Sequence, residues 1–132
     1  MQTLLKVLGY LWAFPATALG LTVVALSLVS GGKTQVVEGV LEVHGGFATW
    51  LLSRGLPWVG PGAAMTLGHV VLGCDLECLE RTRRHEHVHV RQYERWGPLM
   101  IPLYLLYSLL AYRRGQHPYL DNPFEKEAFE TS

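Results

Sequence analysis

Cysteine is nearly absent: Cys74 and Cys78 are the only two, so no disulfide scaffold can hold the chain. The segment CDLEC also departs from the C-x-x-C spacing of a redox helix or zinc knuckle, which leaves the redox compartment undecided. A surplus of either charge is missing as well, since 11 Lys+Arg offset 11 Asp+Glu. Without a basic field there is nothing to hold a phosphate backbone, and nucleic acid is excluded as an expected partner. Charge of both signs is scarce, at 17% of residues with 49% hydrophobic. Such a chain is too apolar for disorder and leans towards the membrane class. At 132 residues it lacks the length for separate cofactor and substrate domains. Internal repeats and low-complexity tracts are absent too.

What is present begins with an uncharged run from Val7 to Gly32, bracketed by Lys6 and Lys33. It exceeds the ~20 residues that cross a bilayer as a helix. Pro15 inside it would kink a helix, but membrane helices tolerate proline where neighbours satisfy the freed carbonyl. A cleaved signal peptide, with small residues at Ala25 and Ser27, and a buried soluble helix are the rival readings. The apolar core is longer than the roughly 7–15 residues of a signal, which favours a retained single-pass N-terminal anchor. Residues 1–33 are therefore read as a membrane anchor or uncleaved signal, with membrane lipid as a partner, and residues 34–132 as the catalytic domain. One lysine on each side assigns no orientation.

Beyond Lys33, Gln35 to His44 alternates β-branched and polar residues around Gly39, predicting two short strands or one bulged strand. Phe47 to Arg54 reads as a short helix and Gly55 to Gly62 as a breaker-rich loop. Ala64 to Gly73 reads as one strand. Asp75 is then placed to cap a long helix from Leu76 to about Trp96, and Gly97-Pro98 ends it and opens another to Arg113-Arg114. That second apolar stretch is short for a span and reads as buried or interface-lying. Asn122-Pro123 opens a last helix through Phe129. The fold class expected is α+β: a small mixed sheet, a long helix bearing the chemistry and a later ligand helix, behind a transmembrane helix.

The chemistry centres on His85-Glu86-His87-Val88-His89, which satisfies H-E-x-x-H. Spacing of four sets His85 and His89 one turn apart on one helix face, where two imidazoles reach one zinc and Glu86 stands beside a metal-bound water. At about 100° per residue the helix sorts into two arcs. Glu77, Glu80, Arg81, Arg84, His87, Arg91, Glu94 and Arg95 make a solvated face with Val88. The other arc, from Cys78 and Leu79 through His85, Glu86, His89, Gln92 and Tyr93, holds Glu86 as its only carboxylate. A buried lone carboxylate needs compensation, and a divalent cation supplies it. The competing readings are carbonyl-bonded core histidines and a Glu86–Arg83 salt bridge. His87 lies about 200° from His85 and cannot share its metal, so it is expected at the surface or in contact with another element. His44, His69 and His117 are expected to be structural.

Catalytic zinc normally has three protein ligands, so a third donor is needed downstream. Glu94 is excluded by the polar arc. In the last helix Glu125 shares a face with Ala128 and Phe129, whereas Glu127 and Glu130 point elsewhere. Glu125 is therefore chosen, against the rival reading of a capping-box residue three after Asn122.

HEHVH followed by Glu125 in PFEKEAF resembles the gluzincin zinc metallopeptidases, in which a glutamate on a later helix is the third ligand. TLGHVVLG similarly resembles the edge strand that in those enzymes lies beside the active-site helix and pairs with extended substrate. The resemblance covers about Thr66 to Glu130, and the closest in size are minimal gluzincins lacking the large second subdomain. It implies His85, His89 and Glu125 as Zn2+ ligands and Glu86 as general base. One position departs: Phe129 stands where the motif has an acidic residue, so holding a ligand histidine must fall to another group. The expected function is zinc-dependent hydrolysis of peptide bonds in a peptide or protein substrate, with Tyr119 or His117 as donor to the oxyanion and Tyr104, Tyr107 and Tyr112 behind them. The alternative is a zinc-containing membrane protein that binds a partner without catalysis.

Overall fold

The uncharged run folds as helix α1 (Gln2–Val29) with Pro15 inside it. In this computed structural model, which describes residues 2–55 and 62–132, α1 is long and apolar enough to cross a membrane. One stripe of it is built from small residues: Ala13, Ala16, Gly20, Val23, Val24 and Ser27 are buried. Small side chains let other backbones come close. A Cβ on Gly20 would lie 2.6 Å from Cβ of Val70. The Ser27 and Thr17 hydroxyls accept from Ala48 N–H and His69 N–H, both at 3.0 Å. α1 is thus one wall of the fold, and Val23 and Val24 share a core with Val43, Ala48, Leu52, Val70 and Leu72.

Strands β1 (Lys33–Val37) and β2 (Val40–His44) form the first hairpin. Its tight turn is Glu38-Gly39, both at positive φ, 52° and 78°. That conformation matches the right-handed twist of paired strands. Helix α2 (Gly46–Arg54) follows. The loop expected over Gly55 to Gly62 lies mostly outside the described residues.

The single strand expected over Ala64 to Gly73 is instead a second hairpin, β3 (Ala64–Leu67) and β4 (Val70–Gly73). Gly68 makes the difference. It sits at φ 63°, with the space a side chain would need taken by Thr17 of α1, so a residue that reads as part of a strand is a reversal point. β4 pairs in parallel with β2, and the sheet runs β1-β2-β4-β3. Among the described residues β3 is therefore an edge.

Helix α3 (Leu76–Trp96) starts as expected: Asp75 accepts from Cys78 N–H at 2.7 Å. Cys74 and Cys78, flanking that cap, are joined as a disulfide. A 3-10 turn, Gly97–Leu99, leads into α4 (Met100–Arg113), and α5 (Pro123–Thr131) is capped by Asn122, which accepts from Phe124 N–H. The result is a mixed α+β architecture with a small four-stranded sheet and an N-terminal apolar helix.

Two members of the expected solvated arc of α3 are not solvated: His87 and Val88 are buried. The β1–β2 hairpin reaches that side of α3. Glu42 of β2, with no solvent exposure, takes the Arg83 guanidinium in a fork at 2.9 and 3.0 Å and Gln35 at 2.9 Å. His87 Nε2 lies 3.4 Å from the same carboxylate. The Arg83–Glu86 pair weighed from sequence is thus not formed, because Arg83 is engaged by the sheet.

Candidate metal centre

His85 and His89 are one turn apart on α3, and helix α5 brings Glu125 against both. The Nε2 atoms of His85 and His89 are 3.3 Å apart, and Glu125 Oε1 lies 2.7 and 2.9 Å from them. All three donor atoms lie within 4.8 Å of one another. The edge of a tetrahedron with metal–ligand bonds of about 2.0–2.1 Å is about 3.3 Å, so the histidine pair has the separation a zinc ion needs, with a harder oxygen donor beside it.

The orientation of His89 is set from behind. Its Nδ1–H donates to Gln92 Oε1 at 2.7 Å, and the Gln92 amide donates to Phe124 O at 3.0 Å and Glu127 Oε1 at 2.7 Å. Nε2 is thereby the nitrogen turned towards His85 and Glu125, the one that could bind a metal. Gln92 thus holds His89, whereas Phe129 packs its ring on His85 with centroids 4.4 Å apart. His85 Nδ1 is buried without a partner among the described residues. On the other oxygen of Glu125, the Tyr104 hydroxyl donates at 2.6 Å. Glu125 does not close a capping box: Asn122 N–H donates to Tyr119 O instead.

Glu86 is buried next to the trio, Oε2 at 3.8 Å from His85 Nε2, and Oε1 accepts from the Thr66 hydroxyl at 3.1 Å. Burial raises its pKa, and the Glu125 charge adds to that while both histidines oppose it. The direction is towards a more basic carboxylate, the change that favours proton uptake. Burial disfavours the charged forms of Glu125 and His89 also, but here pairing wins. Hydrogen bonds from His85 and His89 hold Glu125 down at about 2, and the bond to Glu125 with the charge of Glu86 lifts His89 to about 9.

A cavity of about 690 Å³ covers these groups. β3 contributes Met65, Thr66 and Leu67, and α4 contributes Met100, Ile101, Tyr104 and Leu105. Tyr119, also in the lining, has its hydroxyl 3.4 Å from His85 Nε2, and burial raises its pKa, so it keeps its proton. His117 lines the cavity too, but its Nδ1 accepts from the Tyr119 and Leu120 amides.

The other downstream candidates lie elsewhere. Glu94 pairs with His69 at 2.8 Å, Asp121 accepts from His117 N–H, and Glu127 serves Gln92. Gln92, three residues after His89 on the inward arc, is the partner that motif reading passed over. Its signal was a polar residue on a buried face. Comparison with protein-family models, curated proteins and solved structures found no match.

Proposed function

We propose that the protein is a membrane-associated zinc metallopeptidase of gluzincin type. The observation that carries this reading is the convergence of His85, His89 and Glu125 on one point with the buried Glu86 carboxylate beside it. His85 Nε2, His89 Nε2 and Glu125 Oε1 would hold the metal. Bound zinc would supply a Lewis acid and a water of lowered pKa. Glu86 accepts the proton of the attacking water as its oxygen bonds to the peptide carbonyl carbon, and returns it to the amine as the C–N bond breaks. Tyr119, protonated and facing the site, donates to the developing oxyanion. β3, an edge strand against α3, offers main-chain groups to an extended peptide. Helix α1 supplies the membrane attachment.

The test is metal content with turnover. Purified protein should carry about one zinc per chain, lost on His85→Ala or His89→Ala. Glu86→Gln should keep the metal and lose hydrolysis of a mixed peptide library. Unchanged zinc in both histidine variants would remove the site. Full zinc without turnover in the native chain would favour the non-catalytic zinc protein, a reading supported by the His85 Nδ1 that no described residue holds.

A further inference from the structure

We propose that the protein is seated monotopically: α1 and the outer face of α4 lie side by side in one leaflet of a bilayer, and the cavity walled by the inner face of α4 takes apolar polypeptide segments held at that surface. The second half rests on the peptidase reading; the first does not.

From Ala13 onward α1 has two faces, and residues 2–8 before it are exposed all round. Leu4, Leu11, Leu19 and Leu26 are exposed on one side, while the stripe from Ala13 to Ser27 is buried on the other. That buried stripe meets the sheet, α2 and the charged helix α3. Near its start, a Cβ on Gly9 would lie 3.4 Å from the Glu94 side chain. A helix crossing the bilayer in this packing would drag α3 and its arginines into hydrocarbon, where each charge near the centre is costly. Lying flat, α1 buries its outer leucines and keeps those charges in water.

α4 supplies an adjoining strip. With 14 residues it is about 21 Å long, short of the ~30 Å of a bilayer core. Leu106 and Tyr107 of α4 and Leu99 of the turn before it are 48%, 39% and 53% exposed, and Leu110 beside Leu106 is half-buried, whereas Leu103 packs against the core. The strip meets α1 at its beginning, where the 3-10 turn opens α4. The Trp12 indole donates to Arg95 O at 3.2 Å, and its ring occupies the space beside Gly97. Ala13 and Ala16 share a core with Met100. From Trp96 to Leu120 there is no acidic residue, and Arg113 and Arg114 stand exposed at the end of α4, complementary to anionic headgroups. Exposed Trp12, Trp96 and Tyr112 are the aromatic types enriched at such boundaries. Met100, Ile101 and Leu105 of this same helix line the cavity.

Depth measurement on the full chain decides the seating. A fluorophore on single cysteines at Leu4, Leu19, Leu26 and Leu106, with the Cys74–Cys78 disulfide kept oxidised, is read in phosphatidylcholine–phosphatidylglycerol vesicles bearing spin labels at shallow or deep positions. All four should report the same shallow depth, and a label at Arg84 should stay in water. Leu19 near the bilayer centre with Leu4 and Leu26 at its borders would show a crossing helix and overturn the proposal. Leu106 in water would overturn the part given to α4.

For the substrate class, Leu106→Gln should lower cleavage of a vesicle-anchored apolar peptide about tenfold and leave a short soluble peptide within about twofold. Equal effects on both would overturn that class. Failure of the zinc-loaded native chain to cleave either peptide would remove the peptidase reading and the substrate class with it, while the depths still decide the seating.

Discussion

Gln92 and Glu125 reach the same imidazole from opposite sides, and the two make different predictions. Glu125 touches both histidines and Tyr104, so Glu125→Gln, which preserves the size of the side chain, should weaken zinc binding and abolish hydrolysis. Gln92→Ala leaves the ligand atoms in place but frees the His89 ring. Zinc affinity should fall by about 10- to 100-fold. Glu127→Ala acts one contact further out, through Gln92, and should stay under about tenfold. Competitive chelator titration of the three variants ranks them, and a Glu127 effect as large as that of Glu125 would contradict the assignment.

A proton competes with metal at the same atoms. The metal-free His89 is raised to about 9, so it is charged below that pH and must release its proton to become a ligand. Apparent zinc affinity should rise by about tenfold per unit between pH 7 and 9 and level off above. Calorimetry in buffers of different ionisation enthalpy reads the released proton directly. At this scale Glu125 was legible because Ala128 on its side is fully buried. Phe129 was misjudged: it is 51% exposed and contributes its ring to His85 rather than an anchor to the core.

Among the elements, α3 and β2 are joined by the Glu42–Arg83 fork, the contact that the amphipathic pattern of α3 could not reveal. A buried carboxylate requires a partner, and Arg83→Ala leaves Glu42 without its cation. Arg83 keeps 30% of its side chain in solvent, which moderates the penalty from that of a fully enclosed pair to about 2–3 kcal/mol. Burial alone would raise the pKa of Glu42, but the bonds from Arg83 and Gln35 bring it below its ordinary value. Its folded pKa therefore lies under the unfolded one. The contribution is complete above about 4.3 and disappears as pH falls through the lower folded value. Denaturant unfolding at pH 7 and at pH 3 should show the Arg83→Ala deficit shrinking in acid. The hairpin β3–β4 teaches the same lesson in backbone terms, because the turn at Gly68 was visible only as a glycine within an apolar run until Thr17 of α1 was seen to occupy the space above it.

For the molecule as a whole, α1 is the element whose role changes most between one and three dimensions. From sequence it is an appendage, and a chain starting at Lys33 would be the more soluble one. In the fold it covers Val43, Ala48, Leu52, Val70 and Leu72, so removing residues 1–32 should abolish cooperative unfolding and give aggregation. A soluble, cooperatively melting fragment would restore the appendage view. The identity of α1, α3 and α5, the Asp75 and Asn122 caps and the pair of imidazoles follow from sequence, since each rests on local composition and periodicity, on a side chain bonding its own helix end, or on a spacing of one turn. The hairpin reversal at Gly68, the engagement of Arg83 by Glu42, Gln92 behind His89 and the joining of α1 to the core are long-range pairings. Only tertiary structure decides them, because which distant surfaces meet depends on the competition among all buried faces at once, and no residue's neighbours along the chain record its outcome.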